Sequence, residues 1–154
     1  MRDGAFEFLD MLVENNVPLL IFSAGVGTLI QKYLESENKL TDNIHIIANF
    51  FEFNTQGEVT GYKTPVIHTC NKNEVQISYA PYLSQIEKRR NVLLLGDMLG
   101  DIDMAKGISH DCCINIGFLN QYIDKFIDQY SAVYDALVLN DGSMDYVNTL
   151  LKNI

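Results

Sequence analysis

The chain has 154 residues, of which 47% are hydrophobic and 20% charged, with a formal net charge of −9. That length and apolar content suit one domain with a sizeable core and exclude a disordered tract. The acidity argues against nucleic acid and anionic membranes as partners, and no apolar run approaches the roughly 20 residues of a membrane helix.

In chain order, residues 5–15 put Phe8, Leu9, Leu12 and Val13 on one face of a predicted helix. Val17-Pro18-Leu19-Leu20-Ile21-Phe22 then reads as a buried strand that stops at Ser23-Ala24-Gly25, and a helix follows over 26–37. Ile44 to Ala48 is a second strand. Phe51–Asn54 and Glu58–Tyr62 flank Thr55-Gln56-Gly57, a hairpin signal with glycine in the turn. After a less regular stretch, a helix is predicted over 75–88, and Asn91-Val92-Leu93-Leu94-Leu95-Gly96 is the clearest buried strand. A helix from Leu99 or Gly100 to Ile108 follows, then a strand over Cys112–Ile116 and a helix over 120–130. A strand over Tyr134–Leu139 precedes a last helix N-capped by Ser143. Apolar strands alternating with helices predict an α/β fold, a mostly parallel sheet with helices on both faces. Ligands bind such sheets beyond the carboxyl ends of the strands. The residues there are Ser23-Ala24-Gly25, Asn49, Asp97 with Asp101, Asn115 and Asp141.

The chemistry-bearing segments follow from that placement. Asp97 and Asp101 leave the end of a buried strand through Gly96, and two carboxylates there suit an oxygen-preferring cation such as Mg²⁺. The alternative is an N-cap Asp97 and a favourable first-turn charge at Asp101. Ser23, beside Ala24, Gly25 and a helix start, offers an anion site or an ordinary N-cap. Neither a Walker loop nor a nucleophile elbow is present, so Ser23 binds phosphate in this reading and does not attack it. Lys72 could neutralise phosphate charge or be a solvated lysine. A phosphate ester meets a surplus of carboxylates in so acidic a chain, which favours a cation or a lysine at its site. His45, His68 and His110 lack metal-ligand spacing, and the Asn49–Phe53 aromatics suit a nucleobase platform or core. Cys70 and the adjacent pair Cys112 and Cys113 read as reduced thiols of a cytoplasmic protein. No signal peptide opens the sequence, because Glu7 and Asp10 interrupt its apolar residues.

In their order, Ser23, Lys72 and Gly96-Asp97-x-x-x-Asp101 resemble motifs II, III and IV of the haloacid dehalogenase superfamily. Phe22–Gly27, Asn49-Phe50 with Phe53 and Gly57, Ile67-His68 with Asn71-Lys72, and Leu94–Asp101 are similar to cytosolic 5'-nucleotidase type III. The resemblance implies a haloacid-dehalogenase-like Rossmannoid core over 1–154, partial because motif I, the first strand that carries it and the cap are absent. It implies Mg²⁺-dependent hydrolysis of nucleoside 5'-monophosphates through an aspartyl-phosphate. Ser23, Ala24, Gly25 and Lys72 would bind the phosphate, with Lys72 also catalytic; Asp97 would be catalytic and bind Mg²⁺, with Asp101 alongside. The single Asp-x-Asp, Asp101-Ile102-Asp103, follows no strand, so the nucleophile is expected outside these residues and the chain is expected to be inactive alone. Another phosphatase of the superfamily and a noncatalytic binding or regulatory remnant are the alternatives.

Overall fold

The structure, a computed structural model, describes residues 1–68, Tyr82, Gln85, Ile86, 89–106 and 109–153. Lys72, Cys70 and most of the helix expected over 75–88 lie outside the described residues. Two compact units make up the chain, one of Met1–Met11 with Gln85–Ile154 and one of Leu12–Ser84. Parallel strands and helices make the fold α/β, as its sequence pattern implies.

In the Leu12–Ser84 unit, β1 (Leu19–Val26) pairs in parallel with β2 (Ile44–Asn49), from Leu19↔Ile44 to Phe22↔Ile47. The strand does not stop at Ser23. Pairing resumes at Val26↔Asn49, so Ser23, Ala24 and Gly25 form a bulge. The reason is local. Ser23 Oγ accepts the Gly25 N–H at 3.0 Å, a serine turn that takes up the extra chain while the strand continues. Helix α2 (Gly27–Ser36) therefore begins after Val26, whose side chain makes no cap bond. A Cβ on Gly27 would stand 2.8 Å from the Phe50 ring, so glycine lets the start of α2 approach the end of β2. β3 (Phe51–Phe53) and β4 (Val59–Tyr62) form the expected antiparallel hairpin, with Gly57 at φ +82° in its turn.

In the other unit, β5 (Asn91–Gly96), β6 (Cys112–Leu119) and β7 (Ala136–Leu139) form a parallel sheet in that order. The β5–β6 register runs from Asn91↔Cys112 to Gly96↔Gly117. Leu94, Ala105 and Tyr134 make a buried cluster, packed by Val92, Ile102 and Leu137 among others. Tyr134, expected to open the last strand, instead lies before β7 and is buried. The helix expected after Asp97 is a 3₁₀ helix, Leu99–Ala105. Gly100 is a poor helix former, and the i→i+3 bond from Asp101 N–H to the Met98 carbonyl tightens the first turn. Helix α3 (Ile123–Ser131) starts after Tyr122, which is left-handed at φ 52°.

Helix α4 (Asp145–Leu151) has Met144 at its N-cap, which corrects the assignment to Ser143; the Ser143 hydroxyl still accepts the Asp145 N–H at 3.2 Å. Helix α1 (Ala5–Glu14) buries Phe8, Leu9 and Leu12, but Val13 is 39% exposed and leaves the apolar face predicted for it. Residues before α1 are tied to the end of the chain. The Met144 N–H donates to the Asp3 carbonyl at 2.8 Å and Asn148 Nδ2 to that of Gly4 at 3.0 Å. Arg2 donates to Asn120 Oδ1, lies 3.2 Å from an Asp141 carboxylate oxygen, and stands 4.5 Å above the Phe118 ring. Among the described residues, β1 is paired on one side only, by β2, and β5 on one side only, by β6.

Candidate functional site

Ser23, Ala24 and Gly25 lie in one unit, and Asp97 and Asp101 in the other. In the first unit the bulge is held from below by Asn49. Its Nδ2 donates to the carbonyls of Ala24 and Ile67, both at 2.8 Å, and its Oδ1 accepts the Ile67 N–H at 2.7 Å. Asn49 is 7% exposed, and these bonds satisfy its amide in a setting where an unpaired polar group would be costly. The side chain thus welds the bulge to the segment at Ile67. Ser23 Oγ acts as an acceptor toward Gly25, and its proton has no acceptor among the described residues. The N-cap alternative for Ser23 does not hold, since Val26 occupies that position. The Gly25 N–H is engaged within the turn.

In the second unit Asp97 follows the last residue of β5 and is exposed. Its carboxylate makes no hydrogen bond or ion pair with any described residue. Asp97 is not the N-cap of the 3₁₀ helix; Met98 is. Asp101 is 4% exposed, and its Oδ2 accepts the N–H groups of both Asp97 and Met98 at 3.0 Å. The structure therefore brings the two carboxylates to one turn and divides their work. One oxygen of Asp101 holds the turn, and Asp97 offers a free carboxylate at the carboxyl end of β5. Among the described residues, no group of three or more His, Cys, Asp or Glu side chains could hold a metal. One free carboxylate, with water and phosphate oxygens, still meets the habit of Mg²⁺, which uses one or two carboxylates and keeps several waters.

Tyr130 and Tyr134 reach the same turn, and sequence reasoning missed both. The Tyr130 hydroxyl donates to the Asp97 carbonyl at 2.7 Å and the Tyr134 hydroxyl to that of Met98 at 2.5 Å. Burial, then the charge of Asp101, then Tyr130 and Asp97, holds the Tyr134 phenol above its ordinary value of 10.0. Burial and then Asp97 and Asp101 push Tyr130 upward as well. Both stay protonated donors at neutral pH. Their spacing of four residues was the available signal, obscured because Tyr134 read as strand.

Lys72 lies outside the described residues. His45 packs edge-on against Tyr82, with ring centroids 5.3 Å apart. The Asn49–Phe53 aromatics divide: Phe51 tilts against Tyr62 at 5.1 Å, while Phe53 is 53% exposed. A shallow cavity of ≈ 580 Å³ opens beside them, its lining including Thr28, Gln31 and Lys63 but none of Ser23, Ala24 and Gly25. Cys112 and Cys113 are free thiols. No helix among the described residues is long and apolar enough to cross a membrane.

A family model described as Pyrimidine 5'-nucleotidase (UMPH-1) matches residues 1–154. The chain is similar to the 7-methylguanosine phosphate-specific 5'-nucleotidase of Homo sapiens, 38% identical over 155 residues that cover 100% of this chain and 52% of that protein. Its similarity to the Drosophila melanogaster protein of the same name is 34% over 156 residues, 100% of this chain and 49% of that one. The chain thus spans about half the length of the curated relatives it matches. Among solved structures, cytosolic 5'-nucleotidase IIIB bound to cytidine superposes with a TM-score of 0.89 at 31% identity, over 98% of this chain and 51% of that one. A phosphoserine phosphohydrolase-like protein from Francisella tularensis shares the fold, with a TM-score of 0.58 at 18% identity over 97% of this chain and 62% of that one. With its parallel α/β fold and a match along its whole length, the chain belongs to the pyrimidine 5'-nucleotidase (UMPH-1) family, a family of 5'-nucleotidases, which are phosphoric monoester hydrolases.

Proposed function

We propose that this chain supplies the phosphate- and cation-binding residues of a cytoplasmic enzyme that hydrolyses nucleoside 5'-monophosphates to nucleoside and phosphate. The observation that carries the reading is the free Asp97 carboxylate, exposed at the end of β5 on a turn held by Asp101, in a chain of a 5'-nucleotidase family. Asp97 holds Mg²⁺ and Asp101 supports it through the backbone. When bound, Mg²⁺ draws charge from the phosphate oxygens as a Lewis acid. Ser23 donates its free hydroxyl proton to a phosphate oxygen, its own oxygen being fixed by the Gly25 N–H. Ala24 and Gly25 line the phosphate, and Asn49 keeps their bulge in place. Lys72 offsets the charge of the phosphate and of the attacking group, a need sharpened by the net charge of −9.

The attacking group is an aspartate carried by a segment outside these 154 residues. Its carboxylate bonds to phosphorus as the phosphorus–5'-oxygen bond breaks, the nucleoside oxygen taking a proton from water. A further water then cleaves the aspartyl-phosphate to release phosphate, dividing one difficult hydrolysis into two steps. Among the described residues β1 and β5 are each paired on one side only, which supports further strand pairing at each. The names of the relatives point to pyrimidine and 7-methylguanosine monophosphates as the substrates to try.

The test assays phosphate release from the 5'-monophosphates of cytidine, uridine and 7-methylguanosine with Mg²⁺. It compares the chain alone with the chain fused to the half of the human relative that it does not match. We expect turnover from the fusion and none from the chain alone. Turnover by the chain alone would place a nucleophile within these residues, and a folded fusion that binds the nucleotides without hydrolysing them would establish a noncatalytic binding protein.

A further inference from the structure

We infer that Tyr130 and Tyr134 are positioning residues that aim the Asp97 carboxylate, an assignment that rests on Asp97 being a cation ligand. The dipeptide Asp97-Met98 has four backbone polar groups, and every one has a protein partner. Asp101 Oδ2 takes both N–H groups. The two tyrosine hydroxyls take the two carbonyls, Tyr130 that of Asp97 and Tyr134 that of Met98. The Met98 carbonyl also accepts the Asp101 N–H at 3.0 Å. Exposed loop backbone ordinarily turns some of these groups to water. Here the side chain of an exposed aspartate has no partner among the described residues while the backbone beneath it is fixed at each polar atom.

The device extends into the sheet. Tyr130 lies in the last turn of α3 and Tyr134 beyond its end, and their rings stack with centroids 5.8 Å apart and planes 25° from parallel. Room for Tyr134 comes from two glycines paired across β5 and β6, Gly96↔Gly117. A Cβ on Gly96 would stand 2.6 Å from the Tyr134 hydroxyl, and one on Gly117 would stand 2.6 Å from its ring. Two glycines, two tyrosines and a buried carboxylate thus converge on one dipeptide, whose Asp97 carboxylate is its one polar group without a partner among the described residues. Metal ligands are commonly oriented by hydrogen-bonding groups behind them, and loss of those groups weakens metal binding.

The test titrates Mn²⁺, a spectroscopic substitute for Mg²⁺, into the full chain and reads Kd from water-proton relaxation and Tm from a thermal melt. Variants are Y130F, Y134F, D97N and V147A, the last truncating a fully buried side chain of α4. Each tyrosine variant is expected to raise Kd about 3–10-fold, the loss of one hydrogen bond to the loop, and D97N to abolish binding. V147A is expected to lower Tm without moving Kd, which separates positioning from general destabilisation. Y130F carries the test even where Y134F folds poorly, because Tyr130 is only partly buried. Tyrosine variants with wild-type Kd beside a D97N that has lost binding overturn the positioning role and leave the cation site standing. A wild-type chain that takes up no Mn²⁺, or a D97N that binds it unchanged, overturns the cation assignment and the positioning role with it.

Discussion

At the scale of single residues, the candidate site combines polar side chains that hold backbone with others that have no partner among the described residues. Asn49 is of the first kind, donating hydrogen bonds to the Ala24 and Ile67 carbonyls and accepting one from the Ile67 N–H. Asn49→Ala orphans the Ile67 N–H and two carbonyls, and we expect it to lower the unfolding free energy by about 2–4 kcal/mol, read by urea denaturation. A change under about 0.5 kcal/mol would mean the bulge does not depend on it. Tyr134 gives a pH signature. Its phenol titrates above 10.0 in the folded chain, so the folded state binds more protons than the unfolded state once pH passes the unfolded value. Its contribution is fully present below about pH 10 and is lost as pH rises beyond that. Urea unfolding from about pH 8 to 11 should therefore show a steeper alkaline loss in the wild type than in Tyr134→Phe. Equal slopes would contradict the burial of a protonated phenol beside Asp101.

At the scale of elements, β5 and β6 meet glycine to glycine, and the space is filled from α3 and the turn after it. Gly117→Ala should cost about 1–3 kcal/mol by overpacking against Tyr134 and Leu137. In a Tyr134→Ala background the ring is gone and only the Leu137 clash remains. A double-mutant cycle should give a coupling on the order of 1 kcal/mol, and zero coupling would show that the glycine serves some other end. The same elements show what was legible in the sequence. Strands β1, β2, β5 and β6 and the hairpin were legible because their apolar runs are bounded by Gly, Asn or Asp. Asp97 and Ser23 were legible as residues just past such runs. Their partners were not. The glycines of β5 and β6 are 21 positions apart in sequence (117 less 96) but opposite in register, and periodicity within one strand cannot reveal a pairing across two. The bulge at Ser23 was hidden for a related reason: Ser-Ala-Gly looks the same as the end of a strand or as slack within it, and only the second pairing at Val26↔Asn49 separates them. Ser143 read as an N-cap because its residue type suggested one; Met144 takes that position, its N–H donating to the Asp3 carbonyl.

At the scale of the whole molecule, a chain with a net charge of −9 exposes the Asp97 carboxylate, which has no partner among the described residues, and in the proposed reading turns the Ser23 hydroxyl to phosphate. That combination makes sense where a divalent cation and a lysine reverse the local field. The measurement that bears most directly on it is Mg²⁺-dependent phosphate release from cytidine 5'-monophosphate by the fused protein, in its wild-type form and with the substitution Asp97→Asn. We expect the substitution to lower kcat about 10²–10³-fold, the scale seen when one electrostatic partner of the transition state is removed, and to flatten the dependence on Mg²⁺. Full Mg²⁺-stimulated turnover by the D97N protein would contradict the assignment of the cation to the end of β5.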